Sequence, residues 1–184
     1  MRPFTLVALV FSTMINHSAN AEFELTSSDI QQGKMMSSEY EFQGFGCSGG
    51  NLSPQLSWSG APEGTKSFAV LAYDPDAPTG SGWWHWQLVN IPTSVSALPQ
   101  GAGGEDGKKL PEGARQIKND YGQAAFGGAC PPQGHGTHRY QFSLHALKTE
   151  QLELPADPSS ALVGYMVNAN SIGKVTIEAL YKRD

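Results

Sequence analysis

Ser67 to Asp74 reads SFAVLAYD, with apolar residues at both odd and even positions. Side chains alternate across a strand, so a run without a polar face belongs to a strand at the centre of a sheet. Trp84 to Ile91 (WHWQLVNI) reads as a second strand. Arg139 to Leu147 alternates, with Tyr140, Phe142, Leu144 and Ala146 on one face and Arg139, Gln141, Ser143 and His145 on the other. Val175 to Tyr181 alternates as well, and Phe23-Glu24-Leu25 and Leu56-Ser57-Trp58 read as short edge strands. One helix is expected after Asp157, which can cap it, with Pro158 in its first turn. Leu162, Val163, Met166, Val167 and Ala169 would form its apolar stripe, and Gly173 its left-handed stop. Gly101 to Pro132 is rich in Gly and Pro and lacks periodicity; so long a loop in a compact domain is usually functional or well tethered. The expectation is a mainly β domain with about one or two peripheral helices.

The chain has 184 residues. Arg2 precedes a mostly apolar stretch from Phe4 to Ile15, too short to span a bilayer, and Ala19-Asn20-Ala21 follows. This pattern predicts a signal peptide over residues 1–21, cleaved after Ala21, and one domain over residues 22–184 in the periplasm or outside the cell. No later run is apolar enough for a transmembrane segment. The net charge is −5 and becomes more negative when Arg2 is removed. An acidic chain without a basic cluster is a poor ligand for nucleic acid or an anionic membrane, so any anion site has to be local. Export makes a disulfide between Cys47 and Cys130 the expectation; two separate buried thiols are the alternative.

Several short patterns compete for a chemical role. Gly46-Cys47-Ser48-Gly49-Gly50 fits the nucleophile elbow of serine hydrolases, and Gly44-x-Gly46-x-x-Gly49 fits a dinucleotide fingerprint. Both need a helix directly afterwards, and Pro54 opposes one, so the glycines are expected to serve a tight turn. Asn51-Leu52-Ser53 is a glycosylation sequon only in a eukaryotic secretory system. A stronger constellation comes from three blocks. Asp74-Pro75-Asp76-Ala77-Pro78 ends the central strand, Trp83-Trp84-His85-Trp86 opens the next, and Pro131-Pro132-Gln133-Gly134-His135-Gly136-Thr137-His138-Arg139-Tyr140 leads into a third. A histidine braced by a carboxylate presents an N–H outward. His85 and His138 with the Tyr140 hydroxyl could therefore hold a phosphate, sulfate or carboxylate. Asp74 would orient the donors.

These three blocks and their spacing resemble the phosphatidylethanolamine-binding, or Raf kinase inhibitor-like, family, in its bacterial periplasmic branch. The resemblance spans most of residues 45–182. It implies a central antiparallel or mixed β-sheet packed on a smaller sheet, Greek-key in topology, with a pocket for a phosphate-type headgroup at one end. Carried over by motif, the pocket involves Asp74, Trp83, His85, Pro132, His138 and Tyr140, with Gly128 in its loop and Asp76 bracing the turn. The chain differs from the animal members after Tyr181, where only Lys182, Arg183 and Asp184 follow and no C-terminal helix is expected over the pocket. The functional expectation is a secreted anion-binding module, a candidate regulator or inhibitor of an unidentified protein partner, with no cofactor and no metal. The competing class is a hydrolase, either metal-assisted through the His/Asp pocket or built on Ser48.

Overall fold

The computed structural model describes residues 22–184, so the expected leader and its cleavage after Ala21 lie outside the described residues. Among the described residues, ten strands and one α-helix follow in order: β1 (Glu24–Thr26), β2 (Gln43–Gly44), β3 (Cys47–Ser48), β4 (Leu56–Ser59), β5 (Ser67–Asp74), β6 (Trp83–Pro92), β7 (Ala97–Leu98), β8 (Arg115–Ile117), β9 (His138–Leu147), α1 (Ser160–Asn170) and β10 (Ser171–Tyr181). The main sheet has the order β10-β9-β5-β6-β8, and each of its pairings is antiparallel. Strands β5, β6 and β8 advance across it, and β9 then returns to lie beside β5. That is the Greek-key order. The second sheet is β1-β4-β7, also antiparallel.

β5 lacks a polar face because both faces of its sheet are covered. On one side Phe68, Val70, Ala72, Leu88 and Phe142 pack with Leu56, Trp58 and Leu98 of the smaller sheet. On the other, Ala69, Leu71, Val89 and Leu147 pack against Val163 and Val167 of α1. The same helix side explains a departure on β9. Ser143 and His145 sit on its nominally polar face yet are buried, 6% and 2% exposed. Each is paired locally, Ser143 Oγ with Thr176 Oγ1 at 2.8 Å and His145 Nδ1 with Ser171 Oγ at 3.2 Å.

The helix boundaries differ from expectation at both ends. Asp157 does not cap it; its carboxylate pairs with Lys118 at 2.9 Å, and the Ser159 hydroxyl accepts from the Leu162 N–H instead. Gly173 does not stop it. The chain turns from Asn170 directly into β10 through extended Ser171, and Gly173 lies at a bulge in that strand. A Cβ there would stand 2.7 Å from Pro62 Cγ, so glycine is required by close packing. The buried stripe is also narrower than expected: Val163, Gly164 and Val167 face inward, whereas Leu162 and Ala169 are exposed.

Burial lowers the His145 pKa to about 4, with Lys174, its cross-strand neighbour, adding to the shift. The unfolded chain holds its proton up to about pH 6.5. Stability from neutral His145 is therefore complete above that value and is lost as pH falls towards 4, by at most about 3 kcal/mol. Urea unfolding of wild type and His145→Gln at pH 7 and pH 5 measures it: the wild type should lose more on acidification. Equal losses would remove His145 as the cause.

Candidate functional site

The Asp-Pro-Asp turn at the end of β5 fixes the first carboxylate. Asp74 Oδ1 accepts the Asp76 N–H at 2.8 Å, closing a turn through its own side chain. Its other oxygen, Oδ2, accepts His138 Nδ1–H at 2.7 Å across the β5–β9 boundary. Both residues are buried, Asp74 at 2% and His138 at 1% exposure. Asp76 faces the other way and holds Arg139 through three bonds of 2.8–2.9 Å, to its backbone N–H, Nε and Nη2. The Arg139 hydrogen bonds hold the Asp76 carboxyl below its ordinary range. Asp76 thus braces the start of β9.

A β-bulge aims the second imidazole. Ala72 pairs with Trp86 and Tyr73 with Trp84, which leaves His85 as the extra residue between them. Its Nδ1 lies 2.7 Å from the Gly127 carbonyl and 3.1 Å from that of Gly128. A carbonyl only accepts, so Nδ1 carries the hydrogen and Nε2 of the neutral ring is a bare lone pair. Complete burial pushes the His85 pKa down, against the opposing pull of the Gly127 carbonyl and of Asp74. The expectation that a carboxylate braces each histidine therefore holds for His138 alone; loop carbonyls brace His85.

Asp74, Trp83, His85, Pro132, His138 and Tyr140 line one cavity of about 340 Å³. Gly128 does not line it. It stands behind His85, its carbonyl also taking the Tyr121 hydroxyl at 3.1 Å and its N–H donating to Asn51 Oδ1 at 2.7 Å. A Cβ at Gly128 would meet the Tyr40–Phe42 backbone at 2.5 Å, which explains the glycine. Three polar atoms of the lining residues are buried without a hydrogen-bond partner among the described residues: Trp83 Nε1, His85 Nε2 and the Tyr140 hydroxyl. Burial first, then the charge of Asp74, pushes the Tyr140 hydroxyl pKa up, so it remains a donor.

Three contributors were not anticipated. Tyr121 comes from the aperiodic Gly101–Pro132 stretch, stacks on Phe42 at 3.9 Å and meets Trp83 and His85 edge-on. His135 Nδ1 lies 2.8 Å from His138 Nε2. Because the carboxylate fixes Nδ1–H on His138, the neutral ring accepts from His135 at Nε2. Arg183 lines the cavity as well. The HxxH spacing was visible as a pattern, but neither Tyr121 nor Arg183 lies in a motif that would have drawn notice.

Ser48 lies in the two-residue strand β3 of a hairpin, next to the bonded Cys47, and no helix follows it. Among the described residues, no group of three or more His, Cys, Asp or Glu side chains is placed to hold a metal ion. Cys47 and Cys130 form a disulfide with a Cα–Cα distance of 6.0 Å.

Two packed antiparallel sheets flanked by the short β2–β3 hairpin, a Greek-key order and an imidazole-lined cavity at the strand ends define a β-sandwich with a pocket at its strand ends. The phosphatidylethanolamine-binding protein family model matches residues 26–182, and the chain belongs to that family. YbcL of Escherichia coli is 55% identical over 97% of this chain and 98% of its own length. Its crystal structure superposes with a TM-score of 0.87, covering 89% of this chain and all of that one. YbhB of Escherichia coli is 44% identical over 86% of this chain and 99% of its own. A Mycobacterium tuberculosis relative named as a lipoprotein, LppC, is 36% identical over 60% of this chain and 50% of its own.

Proposed function

We propose that this chain is an exported binding module whose cavity takes a small phosphate-type anion, and that binding takes up a proton. The carrying observation is the trio of buried, unpartnered polar atoms, Trp83 Nε1, His85 Nε2 and the Tyr140 hydroxyl, on residues lining one cavity. Buried polar groups ordinarily find partners, and a ligand oxygen would supply one here. Export is supported by the leader pattern of residues 1–21, by the disulfide and by the lipoprotein name of one relative.

Proton uptake follows from the tautomers. Trp83 N–H and Tyr140 O–H donate to an anion in any protonation state, but the lone pair of neutral His85 Nε2 repels it. An anion oxygen is accommodated there once Nε2 is protonated or once the ligand brings its own P–O–H. Phosphate esters take that proton near pH 6. Either route means that the complex binds protons which free protein and dianion do not. Affinity is greatest below the lowered His85 pKa of the free protein and declines as pH rises through the higher value in the complex.

The test is calorimetric titration of inorganic phosphate at pH 7.5 in two buffers of different ionisation heat. The expected result is uptake of about one proton per anion bound. Binding without proton uptake would show that the imidazoles do not face the ligand, and no binding at pH 7.5 or 5.5 would remove the anion reading.

A further inference from the structure

The cavity described above is short of fixed positive charge. His85 is held neutral by burial, and His138 in its neutral form spends Nδ1–H on Asp74 and receives His135 at Nε2. Tyr121 and Tyr140 have raised pKa values and stay uncharged. Asp74 contributes a carboxylate to the lining. With these groups alone an anion would meet a negative pocket.

Arg183 changes that balance. Its Nη2 donates to the Gly46 carbonyl at 2.6 Å and its Nη1 to the Pro131 carbonyl at 3.4 Å, with Cys130 Sγ 3.8 Å away. Gly46 and Pro131 are the chain neighbours of Cys47 and Cys130, so the disulfide fixes the spacing of the two carbonyls that seat the guanidinium. Carbonyls orient a guanidinium without cancelling its charge. Among the described residues no carboxylate lies within 4.0 Å of it; the nearby Tyr181 hydroxyl donates to Glu41 and titrates only at about 12. Of five guanidinium N–H groups, these contacts leave Nε–H and the second Nη2–H without a partner.

We propose that Arg183 is the specificity-determining cation of this pocket, selecting ligands that carry their own negative charge, such as phosphate. This rests on the anion reading of the cavity and adds a residue to it. With Arg183 present, its charge offsets Asp74, and a single imidazole proton makes the lining net positive. Without it, one such proton only neutralises Asp74. The loss of Arg183 is therefore felt most at high pH and is partly made good by protonation at low pH.

Inorganic phosphate is titrated into wild type, Arg183→Gln and Arg183→Lys at pH 7.5 and pH 5.5, with a potassium chloride series at the higher pH. Arg183→Gln should bind about tenfold or more weakly at pH 7.5, the usual weight of one charge-assisted hydrogen bond, with a smaller deficit at pH 5.5. Arg183→Lys should fall between the two and keep the salt dependence that Arg183→Gln loses. Wild-type affinity in Arg183→Gln would overturn the proposal. So would equal losses in both variants at both pH values, which is the signature of a loop brace. If wild type binds no phosphate at either pH, the anion reading falls and this assignment with it. The two failures are thereby told apart.

Discussion

Replacing Asp74 with alanine is expected to cost about 3–5 kcal/mol, because one side chain satisfies two donors, one buried and one part-buried: a charge-assisted bond of about 1.5–3 kcal/mol and an N–H whose loss leaves about 1–3 kcal/mol unmet. The two donors are His138 Nδ1–H at 2.7 Å and the Asp76 N–H at 2.8 Å, one on each oxygen. Alanine strands the His138 donor where Asp74 and His138 are only 2% and 1% exposed, and leaves the part-buried Asp76 N–H without its acceptor. The Asp74→Asn substitution differs in kind. An amide has one carbonyl, so it can keep the Asp76 N–H and turn its NH2 towards His138. The imidazole must then accept at Nδ1 and carry its hydrogen on Nε2. Asp74→Asn should therefore be less costly than Asp74→Ala. Urea unfolding followed by circular dichroism measures both losses. A loss below about 1 kcal/mol for Asp74→Ala would mean that water or a shifted turn takes over both bonds.

The strands were legible because burial writes itself into periodicity. Ser67–Asp74 matched β5 at both ends, since a strand covered on both faces has no polar residue to blur its limits. On β9 the alternation predicted Tyr140, Phe142, Leu144 and Ala146 as one inner face, and all four are buried. It failed for Ser143 and His145, whose burial depends on α1 lying over them. Nothing local to β9 signals a helix that arrives later in the chain. The helix ends were misplaced for a related reason. Asp157 and Ser159 are both competent caps by residue type; in the fold the Ser159 hydroxyl takes the Leu162 N–H, and the Asp157 carboxylate pairs at the surface with Lys118, a residue distant in sequence. Gly173 looked like a helix stop because glycine so often is one, yet here it answers to Pro62 and Phe23 across the packing.

The site divided along the same line. Six of its residues sit in motifs whose chemistry is local: a carboxylate in a proline turn, an imidazole among indoles, a histidine and tyrosine two positions apart. Three things came only with the fold. The bulge that turns His85 depends on register with β5. The tautomers depend on which carbonyls and carboxylates lie opposite each ring, and at His85 they alter the chemistry, because its neutral imidazole presents an acceptor at Nε2 where the residue type had suggested a donor. Arg183 is one cation in a polar tail and becomes informative only beside Gly46 and Pro131.

Removing the Cys47–Cys130 bond is expected to cost about 4 kcal/mol, the loop-closure entropy of the bridged segment, with altered solvation of the unfolded chain able to shift that value. The bridge joins residues 83 apart in sequence. It also ties down a hairpin with little hold of its own. Strands β2 and β3 have two residues each, and Gly44 at the end of β2 and Phe45 and Gly46 in the turn all have positive φ, at 141°, 52° and 81°. Phe45 is 77% exposed and lines the cavity mouth. Cutting the bridge should therefore act in both states of the chain. The unfolded ensemble expands, which raises the urea m-value of a Cys47→Ser/Cys130→Ser variant. In the folded state Gly46 and Pro131 lose their common tether, Arg183 loses its fixed seat, and phosphate binding weakens. Urea unfolding and phosphate titration on the double variant and on oxidised wild type separate these effects. An unchanged unfolding midpoint would show that the bridge contributes nothing to stability. A loss of stability with undiminished affinity would place the whole effect in the unfolded chain, since the entropic account requires no change in the folded pocket, and would mean that the backbone around Gly46 and Pro131 holds Arg183 without help from the sulfurs.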